Sequence, residues 1–309
     1  MIFWENYLQQ QPKEAPISWG PRKETLPLQP WRDAYPSQYP RCMTISESCT
    51  YICAKLGIPL IGMARVCGEI PQLYKKVPDI ADETGFNANF VDYLRVTEVI
   101  APADLEQRNH FLYEGLGLTD ISIDLSSIRG MYQGIETLGE RYGVQDAAQQ
   151  LVADYTRTIG SFDFPSKVQS GCKVLLITGN AVGYGVEDSS YVASLLDLIG
   201  AENVGHDSDN NLPKPIEDAL HTDPDFIFLS NDAGSKQVWT LFRREFSKKA
   251  EWFELRAVRD GHVFCLDERI FCQRCNFHWP EALAGLMKIL FGNAEENLRW
   301  EAAQIENNT

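Results

Sequence analysis

Positive charge is scarce in this chain: 28 Lys and Arg face 43 Asp and Glu over 309 residues, a formal net charge of −15. Phosphate backbones are bound by clustered cations, so this balance argues against DNA or RNA as a partner. No run of about 18 uncharged apolar residues is present, and no segment reads as a spanning helix. The opening Met1-Ile2-Phe3-Trp4-Glu5-Asn6 shows no basic segment, apolar run or small-residue cleavage site. On that ground alone no signal peptide is expected, and the cytoplasm is the expected compartment. Gly-x-Ser-x-Gly is missing and no Ser/His/Asp spacing suggests a triad, so nucleophilic catalysis has no support. Histidine is sparse, with five scattered residues; His221 and His262 fall at the heads of strands and read as structural.

What is present is the composition of a folded protein, 44% hydrophobic and 23% charged. The length exceeds one ordinary core and predicts two domains. Eight irregularly spaced cysteines in a chain this large do not form a disulfide framework.

Residues 1–38 are proline-rich without steady periodicity and read as an extended arm. From Tyr39 strands and helices alternate. Arg41 to Ile45 is a short strand, a helix capped at Ser46 or Ser48 runs to Leu56 and stops at Gly57, and Ile58 to Met63 is a second strand. Strands at 98–101 and 121–125 flank a helical stretch, 104–114. The second half repeats the theme, with strands at 173–178, 225–229 and 262–266, a helix from Tyr191 to Ile199 closed by Gly200, and a final helix from Pro280 to Phe291. Between the halves, Ala148, Leu151, Val152, Tyr155, Ile159 and Phe162 recur at helical spacing over 144–163, about 30 Å at 1.5 Å per residue. The pattern predicts an α/β protein: two Rossmann-like lobes joined by a single long helix, with a ligand cleft between them. The expected boundaries are an arm 1–38, a lobe 39–142, a connecting helix 143–166, a lobe 167–295 and a tail 296–309.

Several segments resemble one family in order. Tyr39-Pro40-Arg41-Cys42-Met43-Thr44-Ile45-Ser46 and Lys55 to Gly62 resemble the opening strand–helix–strand of substrate-binding proteins of ABC importers for iron chelates, heme and cobalamin. Tyr74-Lys75-Lys76-Val77-Pro78-Asp79-Ile80 is similar to their Y-x-x-V-P-x-I/V-G turn, and Gly200-Ala201-Glu202-Asn203-Val204 to their G-A-x-N-V segment. Thr222-Asp223-Pro224-Asp225-Phe226-Ile227 is similar to the P-D-x-I start of a strand. Ala257 to Phe264 resembles A-V-K-x-G-x-V-Y. The Gram-positive heme-carrier lipoproteins are the branch it resembles. The resemblance spans roughly 39–291 and implies an extracytoplasmic, monomeric, non-enzymatic carrier that delivers a small-molecule metal complex to a permease/ATPase complex. It departs in three places. Thr84 and Asp232 stand where those relatives place axial Met and His ligands. Asn89 replaces the N-lobe docking Glu, which leaves Glu217 as the expected permease contact. The export signal and lipid-anchor Cys of the family are missing.

In parallel-sheet lobes, ligands collect outside the carboxyl ends of strands. That rule selects Glu47, Ser48, Met63, Arg65, Asn180, Tyr184, Asn231, Asp232, Arg269 and Arg274 as candidate ligand-binding residues, the arginines being able to fork onto carboxylates. Gly179-Asn180-Ala181-Val182-Gly183-Tyr184-Gly185 fits neither G-x-G-x-x-G nor the P-loop and reads as a strand–helix turn. Cys272-Gln273-Arg274-Cys275 is the sharpest local motif; with Cys67 it offers a soft-metal clamp, and alone a redox pair or simple packing. The main expectation is the substrate-binding component of an ABC importer for an iron complex, heme or related tetrapyrrole. The bound ligand would be heme, a ferric siderophore or cobalamin, with no catalytic cofactor. The alternatives are a cytoplasmic metal or cofactor carrier or sensor using the cysteines, and a metalloenzyme resembling the nitrogenase-type bilobal folds.

Overall fold

A computed structural model describes residues 35, 39–66, 68–82, 84–164, 171–179, 184–186, 190–207, 212–213, 218, 221–231, 244, 246, 248, 250–267 and 270–292. The described residues up to 161 form one compact unit and those from 162 onward another.

In the N-terminal unit β1 (Cys42–Thr44) leads to α1 (Glu47–Leu56), then β2 (Met63–Ala64), β3 (Asp79–Asp82), β4 (Gly85–Phe86) and α2 (Ala88–Leu94). β5 (Glu98–Pro102), α3 (Ala103–Gly115), β6 (Thr119–Ile123), α4 (Ile128–Tyr142) and α5 (Gln145–Ile159) follow. The order β1-β5-β6 is parallel throughout, with Met43 opposite Val99 and Ile100 opposite Ile121. A second small sheet, β2-β3-β4, is tied to β1 by a parallel bridge between Met43 and Gly62. Met43, Val99 and Ala101 are fully buried together with Ile45, Leu105 and Tyr113. Each such apolar side chain contributes roughly 1.5–3 kcal/mol when taken out of water.

α1 starts and stops as its sequence dictates. Ser46 is extended and its Oγ accepts from the Cys49 amide at 3.2 Å. Gly57 ends the helix at φ 71°, a left-handed conformation that a side chain would oppose. The expected strand 58–63 is only the bridge at Gly62 and β2, because Tyr74, whose hydroxyl donates to the Ile58 carbonyl at 2.5 Å, occupies this backbone instead of a strand partner. The periodicity over 144–163 yields α5, which ends at Gly160 and so spans about 22 Å at 1.5 Å per residue. α5 packs antiparallel on α4, with Tyr132 and Tyr155 stacked at 4.4 Å.

The C-terminal unit holds β7 (Lys173–Gly179), β8 (Tyr184–Val186), α6 (Tyr191–Ile199), β9 (Glu202–Asn203), β10 (His206–Asp207) and β11 (Leu212–Pro213). β12 (Phe226–Asn231), α7 (Arg256–Arg259), β13 (Val263–Cys265) and α8 (Trp279–Phe291) complete it. β13-β12-β7 is parallel, β9 adds parallel to the start of β7, and β8 adds antiparallel to its end. Its core gathers Leu175, Ile177, Ile227, Leu229, Val204 and Phe246. β8 corrects the strand–helix turn expected over 179–185: the chain returns along β7, pairing Gly179 with Tyr184 and Ile177 with Val186, before α6 begins.

Candidate ligand-binding site

The parallel strands of the N-terminal unit end together at Thr44, Pro102 and Ile123, and α1 starts on that edge. Its start is fixed by hydroxyls. Thr44 Oγ1 lies 2.7 Å from Thr50 Oγ1 and accepts from the Ala64 amide at 3.2 Å, while Thr50 Oγ1 donates to the Ser46 carbonyl at 2.9 Å. This lattice presents Glu47 and Ser48, both half-buried, in the first turn. Glu47 Oε1 accepts from the Gly68 amide at 3.3 Å.

Arg65 follows β2. Its Nε is 3.8 Å from Asp79 Oδ2; the Asp79 side chain is 6% exposed and that of Arg65 38%. A buried carboxylate thus orients a guanidinium that still meets solvent, which suits an anion contact. Met63 differs from expectation. At 2% exposure it packs in the core of its unit rather than presenting its thioether. Thr84 is exposed and donates to Asp82 Oδ1 at 2.7 Å, and Asn89 is exposed on α2.

In the C-terminal unit the backbone brings three sequence-selected positions into one row. Asn231 pairs with Gly179, and Gly179 with Tyr184, so Tyr184, Gly179 and Asn231 form a row where β7 and β12 end and the antiparallel β8 begins. Of Tyr184 and Asn231 only the strand positions are described. Asn180, Asp232, Arg269, Cys67 and Glu217 lie outside the described residues.

After β13 the chain passes Cys272, Arg274 and Cys275 to the start of α8. Arg274 is 8% exposed, which corrects its expected place as a rim anion clamp: the body of the protein encloses it. Cys275 is fully buried and Cys272 half-buried. The Cys272 thiol lies 2.9 Å from the Arg274 carbonyl and accepts from Asn276 Nδ2 at 2.9 Å. Among the described residues no three His, Cys, Asp or Glu side chains converge as metal ligands.

Two polar groups escaped the sequence reading. Glu98, 7% exposed at the head of an apolar strand, binds Arg141 at 2.5 Å and accepts from the Tyr142 hydroxyl at 2.6 Å. Burial alone would raise its carboxyl, but the hydrogen bonds from Arg141 and Tyr142 outweigh it and hold the group below the ordinary glutamate range. Burial pushes the neighbouring Cys42 thiol up to about 12. This cluster sits at the amino end of the sheet, opposite the strand carboxyl ends, and ties strand starts to a helix end. A single acid leading Glu98-Val99-Ile100-Ala101 was its only signal in the sequence. The second group is the Tyr191 hydroxyl at the start of α6, fully buried and without a hydrogen-bond partner among the described residues.

Two α/β units, each built on a largely parallel sheet, are the architecture of bilobal substrate-binding proteins. The model of the Periplasmic binding protein family matches residues 104–270, and the chain belongs to that family, whose members are binding proteins and not enzymes. Among its relatives is the high-affinity heme uptake system protein IsdE of Staphylococcus aureus (strain MRSA252). That protein is 26% identical over 255 residues, which cover 81% of this chain and 87% of IsdE. An ABC transporter substrate-binding protein from Listeria monocytogenes EGD-e superposes with a TM-score of 0.73 at 28% identity, covering 82% of this chain and 99% of that one. The structure of S. aureus IsdE complexed with heme shares the fold, with a TM-score of 0.75 at 24% identity and the same coverage. Among the described residues no helix is long and apolar enough to cross a membrane.

Proposed function

We propose that this chain is the substrate-binding component of an ABC importer and carries heme or a closely related iron complex. The observation that carries the reading is the 255-residue similarity to a heme uptake protein, which runs through both units and not through one motif. Such a ligand requires a mostly apolar surround with a few placed polar groups, and the polar residues at the strand carboxyl ends support this reading. Arg65, oriented by Asp79, takes a ligand carboxylate, with Arg269 as a second cation. Glu47, Ser48, Asn180, Asn231 and Asp232 supply the remaining polar contacts. Tyr184 and Cys67 are the candidate iron donors, because phenolate and thiolate both ligate ferric heme. Cys272 is already engaged by Asn276 and the Arg274 carbonyl. The protein acts outside the cytoplasm as a monomer, without catalysis and without nucleic acid, and Glu217 docks it on the permease.

The test is absorbance titration of the purified chain with heme, a ferric siderophore and cobalamin. Heme binding at micromolar concentration is expected, with a spectrum shifted in Tyr184→Phe or Cys67→Ala. Absence of binding by all three ligands refutes the ligand class. A heme spectrum unchanged in both variants removes them as donors. Glu217→Lys should reduce stimulation of the transporter ATPase and leave heme affinity alone.

A further inference from the structure

Three consecutive amides carry the chain out of β2, and they bond alternately. The Met63 amide donates to the Pro78 carbonyl at 3.0 Å and the Arg65 amide to the Ala81 carbonyl at 2.8 Å, both on the β3 side. The Ala64 amide, between them, turns to β1. There the backbone bridge joins Met43 and Gly62, and two residues later a side chain takes over: Thr44 Oγ1 accepts from Ala64 at 3.2 Å. Thr44 and Thr50 are 0% exposed and Ala64 1%, so each of these polar groups depends on its protein partner.

The direction of each proton follows. Thr50 Oγ1 donates its proton to the Ser46 carbonyl at 2.9 Å. The 2.7 Å contact between the two threonine hydroxyls is therefore donated by Thr44, whose lone pairs remain for the Ala64 amide. The relay runs from the Ala64 N–H through the Thr44 and Thr50 hydroxyls to the Ser46 carbonyl. It begins at the residue before Arg65 and ends at the residue before Glu47. Asp79 turns the Arg65 guanidinium by charge at 3.8 Å, a separation longer than a hydrogen bond, so the place of that group depends on the backbone that carries it. A shift of about 1 Å in such a carrier is enough to spoil a positioned contact. Resting on the reading of Arg65 as the contact for a ligand carboxylate, we propose that Thr44 is a positioning residue of the site. Its hydroxyl holds Arg65 in register with the Glu47–Ser48 turn, so that one ligand meets both.

The experiment compares affinities for heme and for heme with both propionates esterified. Thr44→Val keeps the shape of the side chain but removes the acceptor of the Ala64 amide. It should weaken heme binding about fivefold, the effect of one misaligned hydrogen bond to a charged group, and leave the ester level. Thr44→Ser keeps the hydroxyl and should keep the parent affinity. In an Arg65→Ala background Thr44→Val should cost heme nothing further, because it acts through that side chain. Equal weakening of heme and ester overturns the proposal, since a merely structural hydroxyl would damage both. An unchanged heme affinity in Thr44→Val, no rescue by Thr44→Ser, or additive losses in the double variant also overturn it. If Thr44→Val does not fold, Thr50→Val removes the next link and should show the same heme-selective loss; a loss shared by the ester overturns the proposal there too. A parent that binds no heme refutes the carrier reading instead. The positioning is then judged in the ligand-free chain by the Arg65 Nε–H resonance, which should move in Thr44→Val and stay in Thr44→Ser. A resonance unmoved in Thr44→Val overturns it.

Discussion

The Tyr142 hydroxyl donates to Glu98 Oε2 at 2.6 Å and thereby fastens the last turn of α4 to the first residue of β5. Arg141, one residue earlier on the same turn, closes on the other carboxylate oxygen at 2.5 Å. Cys42, which leads the adjacent strand β1, has its thiol 3.7 Å from the same carboxylate. One acid therefore joins two strand starts to a helix end.

That arrangement has a pH signature. The native Glu98 carboxyl is held below its ordinary value, so its contribution to stability is fully present above the free glutamate range, near pH 4.3, and is lost as pH falls from there through the lower native value. Glu98→Gln should cost about 1–3 kcal/mol at neutral pH, since two donors and a guanidinium lose their charged acceptor. Arg141 is partly exposed and can be resolvated, which keeps the cost from the upper range for buried pairs. Urea midpoints measured from pH 7 down to pH 3 should fall less steeply in the variant. Parallel profiles would show that Glu98 has the same affinity for protons folded and unfolded.

Asp225 plays a comparable part in the C-terminal unit. Its Oδ2 accepts from the Lys173 amide at 2.8 Å, its Oδ1 pairs with Arg256 at 2.9 Å, and its carbonyl lies 3.2 Å from His262 Nδ1. The starts of β7, β12 and β13 and the start of α7 thus meet at one residue. Asp225→Ala should destabilise by roughly 1–3 kcal/mol in denaturant unfolding, with heme affinity unchanged because the node stands at the amino ends of the strands. A variant as stable as the parent would mean that water replaces the lost acceptor.

These two nodes explain what was legible in the sequence. The segments that carried the family resemblance are fold-bearing. Asp225 lies in Thr222-Asp223-Pro224-Asp225, Pro78 offers its carbonyl to the Met63 amide at 3.0 Å, and Tyr74 holds the Ile58 carbonyl. Their chemistry is local hydrogen bonding at strand starts and turns, so sequence reports it well. α4 was missed for the opposite reason. Gly130, Gly134 and Gly139 each lower helix propensity by about 1 kcal/mol, and only tertiary packing reverses that. The strand carboxyl ends were legible as positions, and the ligand role proposed for them rests on the strand-end rule. The burial of Arg274 was not legible, because it depends on tertiary packing that a local pattern does not report, whereas Met63 reads in the sequence more readily as core than as a donor.

The helix hairpin α4–α5 gives a third test. A methyl group at Gly139 would stand 2.6 Å from the Ala148 Cβ, so these two helices approach as closely as a glycine permits. Gly139→Ala should destabilise by about 1–3 kcal/mol despite its gain in helix propensity, because the hairpin must open to accept it. Ala148→Gly in the same chain should recover part of the loss, and thermal unfolding of the single and double variants measures that coupling. Equal melting temperatures for Gly139→Ala and the parent would show that the hairpin yields at no cost.

Arg65 separates a charge contact from a general apolar fit. Its guanidinium is set by Asp79 and remains 38% exposed, a geometry that lets it meet a ligand carboxylate. Charge-assisted hydrogen bonds of this kind contribute more than neutral ones, and the planar fork of Arg fits a carboxylate better than an ammonium does. Arg65→Ala should therefore weaken heme binding about tenfold, and Arg65→Lys by less. The discriminating ligand is heme with both propionates esterified. It presents the same apolar face without the negative charge, so its affinity should be nearly the same in the parent and in Arg65→Ala. Equal weakening of both ligands would place Arg65 in packing, and no weakening of either would remove it from the site. Asp79→Asn provides the internal control: with the orienting charge gone, heme affinity should fall toward that of Arg65→Ala, while affinity for the ester stays level.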